Sequence, residues 1–200
     1  MKRSVIIIIG LIILVVSVAF YLAYNQKPDT MVEDTMMTEP DEMTADEMAT
    51  DEMAVDVMTN DGKKAEDFEL MNLAGEAVSL EQLNGERVYV KFWASWCSIC
   101  LAGMDELSTL SAEATDYKVI TIVSPGYNGE MKKEDFIKWF EGLGYDNIEV
   151  LLDENGTIAK SYGVRAYPTS AYIGSDGVLV KILPGHTDNT TINDTFEKIY

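Results

Sequence analysis

Residues 92–100 read Phe-Trp-Ala-Ser-Trp-Cys-Ser-Ile-Cys and contain both cysteines of the chain, Cys97 and Cys100. A mostly apolar, β-rich run at 88–93 leads into this stretch, and a helix-compatible run at 101–114 leads out of it. The pattern predicts a strand-to-helix junction with Cys97 in the first helical turn. Unpaired N–H groups and the positive end of the helix dipole stabilise a thiolate there, and the thiolate is the nucleophilic form of cysteine. Cys100, one turn further on, is placed to attack a mixed disulfide formed at Cys97 and to release the product.

Two other roles are common for a Cys-x-x-Cys pair. A structural zinc site needs about four ligands, usually Cys and His, and beyond the pair this chain offers only His186. A structural disulfide without a redox role stays open from the spacing alone. Trp93 and Trp96 beside the pair favour a functional site, so the sequence predicts a redox-active disulfide between Cys97 and Cys100, with no metal and no cofactor.

Composition narrows the class of partner. The 200 residues suffice for one domain with additional segments. The net charge of −19 makes nucleic acid an unsuitable partner, because phosphate binding requires a basic surface. Two cysteines this close together do not form a disulfide scaffold and are typical of an exported redox protein.

The N-terminal residues 1–27 predict a membrane anchor. Residues 5–22 are almost all aliphatic or aromatic, and a run of 18 is about the shortest that spans a bilayer. Lys2 and Arg3 predict a cytoplasmic N-terminus, which places the rest of this single-pass protein on the extracytoplasmic face of the cell membrane. A cleaved signal peptide is the alternative, since small residues stand at 17 and 19. We favour the anchor because the apolar run continues past that point. The sequence has no cysteine near residue 20, so we do not expect a lipid anchor.

Residues 28–62 predict a disordered tether. They carry 12 acidic residues and no basic one, and methionines recur every five residues at 43, 48, 53 and 58. A period of five fits neither a helical stripe nor strand alternation. Like charge and low aromatic content favour an extended, disordered linker. We favour a compositional accident as the explanation of the methionines. The alternatives are that they react with oxidants as a sink or that they bind Cu(I). If they bind Cu(I), the non-enzyme alternative for the whole chain is a copper-binding surface protein.

The remaining residues, 63–200, predict one mixed α/β domain. The expected strands are 68–71, 77–80, 88–93, 117–123, 148–152, 170–173 and 178–183. The expected helices are 101–114, 132–143, 157–162 and 190–200, with a helical turn at 81–85.

Two motifs carry a resemblance to a known family. Residues 93–100, Trp-Ala-Ser-Trp-Cys-x-x-Cys, resemble the active-site block of extracytoplasmic thioredoxin-like proteins of the TlpA/ResA kind. Tyr167-Pro168-Thr169 is similar to their loop whose proline is cis and faces the dithiol. The resemblance implies a thioredoxin fold: a central mixed sheet flanked by helices, with an N-terminal β-hairpin extension and an inserted helix, here 132–143. It also implies that Trp96, Tyr167, Pro168 and Thr169 bind the substrate.

A finer resemblance points to a client. Four segments are similar to the thioredoxin-like domain associated with methionine sulfoxide reductases A and B: Val123-Ser124-Pro125-Gly126, Asp135-Phe136-x-x-Trp139, Asp153-x-x-Gly156-Thr157-Ile158-Ala159 and Tyr167-Pro168. This implies a thiol-disulfide oxidoreductase that reduces such a reductase and is itself reduced by a CcdA/DsbD-like membrane thiol carrier. Cytochrome c maturation and disulfide formation in exported proteins are the alternatives with the same chemistry.

The chain departs from the family pattern near the dithiol. Lys91 stands where thioredoxin has a buried acid, and Gly103 stands where many TlpA-like proteins have a glutamate. The source of base assistance to the second cysteine is therefore open. Asp105 and Glu106 are expected on a solvated helix face, and His186 is expected to be exposed and inert.

Overall fold

The computed structural model describes residues 60–200. The anchor expected at 1–27 and the tether expected at 28–62, except for its last three residues, lie outside the described residues. Asn60 is held to the domain, because its N–H donates to Asp176 Oδ2 over 2.8 Å and its side-chain amide donates to the Tyr200 carbonyl over 2.7 Å. From residue 60 to residue 200, no helix is both long enough and apolar enough to span a bilayer.

One mixed sheet organises the domain. Its spatial order is β1-β8-β7-β4-β5-β6-β2-β3. The strands β4, β5 and β6 run parallel to one another, and the other neighbouring pairs are antiparallel. The strand bounds are β1 Lys63–Lys64, β2 Glu69–Asn72, β3 Ala77–Ser79, β4 Val88–Phe92, β5 Lys118–Val123, β6 Val150–Leu152, β7 Thr169–Ile173 and β8 Val178–Pro184. The expected α/β class is confirmed, and the β2–β3 hairpin forms one edge of the sheet; β1 was not expected.

Helices cover the sheet between these strands. Their bounds are α1 Ser98–Ala102, α2 Met104–Glu113, α3 Lys133–Glu141, α4 Thr157–Ser161 and α5 Asn189–Phe196, with 3-10 turns at Glu81–Leu83 and Glu154–Gly156. The single helix expected at 101–114 is wrong. Helix α1 starts earlier because Cys97 caps it, and Gly103, with φ −96° and ψ 12°, ends α1 and begins α2.

Strand β4 is buried along its whole length, so its side chains alternate between two cores. Val88, Val90 and Phe92 face the core beneath the β2–β3 hairpin and α4. Tyr89 and Trp93 face the core that contains both cysteines, α2, α3 and α5. We call this second side the dithiol face of the sheet.

The inserted helix α3 is fixed to the dithiol face by aromatic packing. The ring centroid of Trp93 lies 5.8 Å from that of Phe136 and 5.9 Å from that of Phe140. Trp139 completes the cluster at 6.4 Å from Trp93. Because Trp93 stands four residues before Cys97, this packing fixes the chain as it leaves β4.

Candidate active site

The two cysteines form a disulfide at the N-terminus of α1. Their Cα atoms are 5.2 Å apart. Cys97 is the N-cap residue with an extended backbone, and its Sγ accepts a hydrogen bond from the Cys100 N–H over 3.2 Å. The same N–H is therefore in place to stabilise a Cys97 thiolate once the disulfide is reduced. The Cys97 side of the pair is nearer to solvent, since 7% of Cys97 and 1% of Cys100 is exposed.

A buried carboxylate holds the loop before Cys97. Glu130 accepts hydrogen bonds from the Ser95 N–H over 2.6 Å, from the Ser95 hydroxyl over 2.5 Å and from the Met131 N–H over 2.7 Å. Both Glu130 and Ser95 are buried. The contact ties the loop after β5 to the loop after β4, because parallel neighbouring strands end at the same edge of the sheet.

Sequence reasoning did not identify Glu130. A single glutamate in a glycine-containing loop resembles any solvated acid. The available signal was its position: an acid in the loop that follows the strand next to β4, at the edge where the cysteines lie.

An aromatic rim surrounds the disulfide. Trp96 is 53% exposed, and its ring meets that of Tyr167 edge-on with 5.8 Å between centroids. Ile99, between the two cysteines, is 58% exposed. These side chains leave apolar surface beside Cys97 to which a protein client could bind.

The Tyr167–Pro168 peptide bond is cis, as the family resemblance implies. Pro168 is buried, and its carbonyl accepts a hydrogen bond from the Gly185 N–H over 2.7 Å. Thr169 is already part of β7 and lies between Phe92 of β4 and Pro184 of β8. Of the two neighbours of Pro168, Tyr167 is therefore the one with its backbone outside the sheet. The substrate-binding roles expected for Trp96, Tyr167, Pro168 and Thr169 stay predictions.

The segments behind the finer resemblance pack together next to this rim. The Ser124 hydroxyl donates to Asp153 over 3.3 Å, and the buried Asp153 carboxylate accepts the N–H groups of Ile158 and Ala159 over 3.1 and 2.8 Å. Burial raises the pKa of Tyr167, and hydrogen bonding of its hydroxyl with Ser124 opposes the rise. The rim, the loop after β5 and the N-terminus of α4 thus form one connected wall.

Gly156 is required in this wall. Its φ is +68°, and a Cβ atom there would come within 2.3 Å of the Tyr127 ring. Only glycine allows this backbone conformation and this close approach together.

Lys91 is a buried lysine on the strand that leads into the site. It lies in the middle of β4 between Tyr89 and Trp93, and 4% of it is exposed. Burial lowers the pKa of Lys91, and the charge of Glu106 opposes this effect. Where the family pattern has a buried acid, this site therefore has a buried amine whose charged form is disfavoured by burial.

His186 is exposed, as expected, and Glu106 is half-buried, but both make contacts that the sequence did not indicate. His186 Nε2 lies 3.1 Å from Glu106 Oε2, and the Asn189 N–H donates to Glu106 Oε1 over 3.0 Å. His186 also covers Gly103, whose added Cβ would lie 3.2 Å from the imidazole. These contacts fasten the loop after β8 to α2, and they arise because Gly103 leaves room for the ring. Asp105 is expected to be solvated only, but it also accepts a hydrogen bond from the Tyr145 hydroxyl.

Comparison with known proteins agrees with this geometry. A family model described as Redoxin matches residues 60–199. An uncharacterised protein of Haemophilus influenzae is 49% identical over 133 residues, which cover 66% of this chain and 85% of that protein. The thiol-disulfide oxidoreductase ResA of Bacillus thuringiensis is 27% identical over 138 residues, covering 69% of this chain and 78% of that protein.

A solved structure matches as well. The crystal structure of the pneumococcal exposed lipoprotein thioredoxin Etrx1 from Streptococcus pneumoniae superposes with a TM-score of 0.65 at 46% identity, covering 67% of this chain and 100% of that one. The thioredoxin fold is thereby confirmed. Among residues 60–200, no group of three or more His, Cys, Asp and Glu side chains is arranged to hold a metal ion.

The Glu130 contact predicts the effect of Glu130→Gln. The amide must turn its NH2 group toward either the Ser95 N–H or the Met131 N–H, so one donor loses its acceptor. We expect the free energy of unfolding to fall by about 1.5–3 kcal/mol, measured by denaturant titration of the oxidised protein. Glu134→Gln, at an exposed position of α3, is the control; an equally small effect of both substitutions would contradict the role given to Glu130.

Burial of Lys91 predicts a pH-dependent effect of Lys91→Met. The folded-state pKa lies below the ordinary value of 10.5, so between these two values the unfolded state binds more protons and wild-type stability rises with pH. Lys91→Met should therefore raise the free energy of unfolding by about 1–3 kcal/mol below the folded-state pKa, and the gain should shrink as the pH rises toward 10.5. Lys118→Met, at the exposed start of β5, should show no such trend. A gain that is constant with pH would argue against a buried ammonium.

Proposed function

The chain belongs to the redoxin family, and on that premise we propose that it reduces protein disulfides on the outer face of the cell membrane, with a methionine sulfoxide reductase as its client. It is a thioredoxin-like thiol-disulfide oxidoreductase that carries the Cys97–Cys100 pair. What the proposal adds is the client, the direction of electron flow and the location.

The reaction takes two exchange steps. The Cys97 thiolate attacks one sulfur of the client disulfide, which forms a mixed disulfide and releases the other client sulfur as a thiolate. The Cys100 thiolate then attacks Cys97 Sγ, which forms the Cys97–Cys100 disulfide and releases the second client thiolate. Two electrons pass to the client, and the two client thiolates take up protons.

A methionine sulfoxide reductase is a chemically suitable client. Reduction of a sulfoxide by two thiols gives a thioether, water and a disulfide, so the reductase must be reduced again after each turnover. The observation that carries the proposal is the grouping of the four resembling segments at the dithiol. Ser124 and Asp153 are hydrogen-bonded, Phe136 and Trp139 pack on Trp93, and Tyr167 meets Trp96.

The N-terminal sequence supports the proposed location. The apolar run 5–22 after Lys2 and Arg3 supports an anchored domain outside the cytoplasm. The description of Etrx1 as an exposed lipoprotein supports the same side of the membrane. Electrons must then cross the membrane, for which we propose a CcdA/DsbD-like thiol carrier.

Trapping tests the client directly. The full-length Cys100→Ser variant retains the attacking sulfur but lacks the resolving one, so it should accumulate a mixed disulfide with an oxidised methionine sulfoxide reductase on non-reducing gels. Cys97→Ser is the matched control and should trap nothing. A Cys100→Ser variant that traps apocytochrome c or another exported protein, but not the reductase, would replace the proposed client.

A further inference from the structure

The loop between β8 and α5 contacts two segments beside the disulfide. The Gly185 N–H donates to the Pro168 carbonyl over 2.7 Å. The next residue, His186, lies over Gly103, where an added Cβ atom would be 3.2 Å from the imidazole. The loop thus joins the cis-proline segment, residues 167–168, to the junction between α1 and α2.

These contacts close a ring around the disulfide. Trp96 directly precedes Cys97, and its aromatic ring meets that of Tyr167 in the cis-proline segment. At the other end of α1, the Gly103 N–H donates to the Cys100 carbonyl over 3.2 Å. The position of the cis-proline segment relative to the two cysteines therefore depends on the loop after β8 as well as on the aromatic contact.

An ion pair fastens this loop to α2. His186 Nε2 lies 3.1 Å from Glu106 Oε2. The other carboxylate oxygen of Glu106 accepts the Asn189 N–H over 3.0 Å, and the Glu106 carbonyl accepts the Asn189 side-chain amide over 2.8 Å. Glu106 thus holds both the loop and the first residue of α5, and the contact with His186 is the part of this arrangement that depends on charge.

Protonation of the imidazole strengthens this pair. His186 is the one histidine of the chain, and imidazole is the side chain that ordinarily changes its charge between about pH 5 and 8. A charged ring makes a stronger hydrogen bond to a carboxylate than a neutral ring does. Glu106 is the acid that takes this role, because Asp105 is bonded to Tyr145 and Asp188 to Thr191. The titratable side chains of the elements next to His186 are Asp105 and Glu106 of α2, Asp188 before α5, Tyr172 of β7, Lys91 of β4 and the two cysteines of α1.

We propose that His186 is a positioning residue of the exchange reaction: paired with Glu106, it holds the loop after β8 and so fixes the cis-proline segment relative to Cys97. A client chain must fit between these two elements, whereas a small disulfide needs only the sulfur of Cys97. The pair therefore acts on reactions with peptide chains and not on the reactivity of the sulfur itself. The inference depends on dithiol exchange alone and not on the identity of the client.

Two disulfides with the same leaving group separate these effects. One is 5,5′-dithiobis(2-nitrobenzoate), and the other is a short extended peptide whose central cysteine is joined to a single thionitrobenzoate. With the reduced full-length protein, the Cys97 thiolate displaces the same coloured thiolate from both, because the thiol of lower pKa leaves faster. Stopped-flow absorbance gives the rate of this first release at each pH. The ratio of the peptide rate to the small-disulfide rate cancels the ionisation of Cys97.

His186→Gln should lower this ratio about 2–5-fold at the acidic end of the range from about pH 5 to 8, and less at the alkaline end, where the wild-type ring is neutral as well. Glu106→Gln removes the same pair but keeps an oxygen for the Asn189 N–H, so it should give the same loss. The double variant should lose no more than either single one. Both side chains are 36% exposed, so the substitutions should leave the fold intact. Glu113→Gln, at the exposed far end of α2, is the matched control and should keep the wild-type ratio.

Three results would overturn the inference. A wild-type ratio in His186→Gln at every pH would remove His186 from positioning. A deficit that is equal at every pH would indicate lost packing over Gly103 and not a lost ion pair, and an equal slowing with both disulfides would place the effect on the sulfur. Absence of coloured release from the wild-type protein would instead refute the exchange reaction itself, whereas failure to trap the proposed client leaves this result standing.

Discussion

The chemistry of this domain depends on one contact, the hydrogen bond from the Cys100 N–H to the sulfur of Cys97 at the start of α1. That contact places a sulfur at the end of a helix where backbone donors favour negative charge. It requires a strand that ends five residues before Cys97 and a loop that returns the chain at the correct angle. Trp93 fixes the first and Glu130 the second, so the aromatic cluster and the buried carboxylate both serve the position of one atom.

The sheet topology explains why so many segments meet at this atom. Strands β4, β5 and β6 are parallel neighbours, and the loops that follow them share one edge of the sheet. The antiparallel strand β7 begins at that edge, which brings Tyr167 and Pro168 to the same place. An exposed apolar surface is thereby built beside the disulfide by Trp96 and Ile99, whereas Lys91 is buried within the sheet.

Local features were predictable from the sequence because their causes are local. The Cys-x-x-Cys spacing and the apolar strand before it gave the cysteine at the start of a helix and the buried β4, whereas the cis bond before Pro168 came from the family resemblance. The break between α1 and α2 at Gly103 could not be predicted in this way, because residues 101–114 have helical periodicity throughout. The break leaves room for His186, which is distant in sequence. The contacts of Glu130 and Glu106 likewise join residues that are far apart in the chain, so a pattern of neighbours classifies both acids as solvated.

The central claim is that the Cys97–Cys100 pair donates electrons to its clients, and the reduction potential of this couple tests it most directly. The potential can be measured by equilibrating the protein with thiol redox buffers and quantifying the alkylated dithiol. A reductant of the thioredoxin kind predicts a value near −270 mV. A value near −120 mV, typical of a strong protein oxidant, would contradict the account.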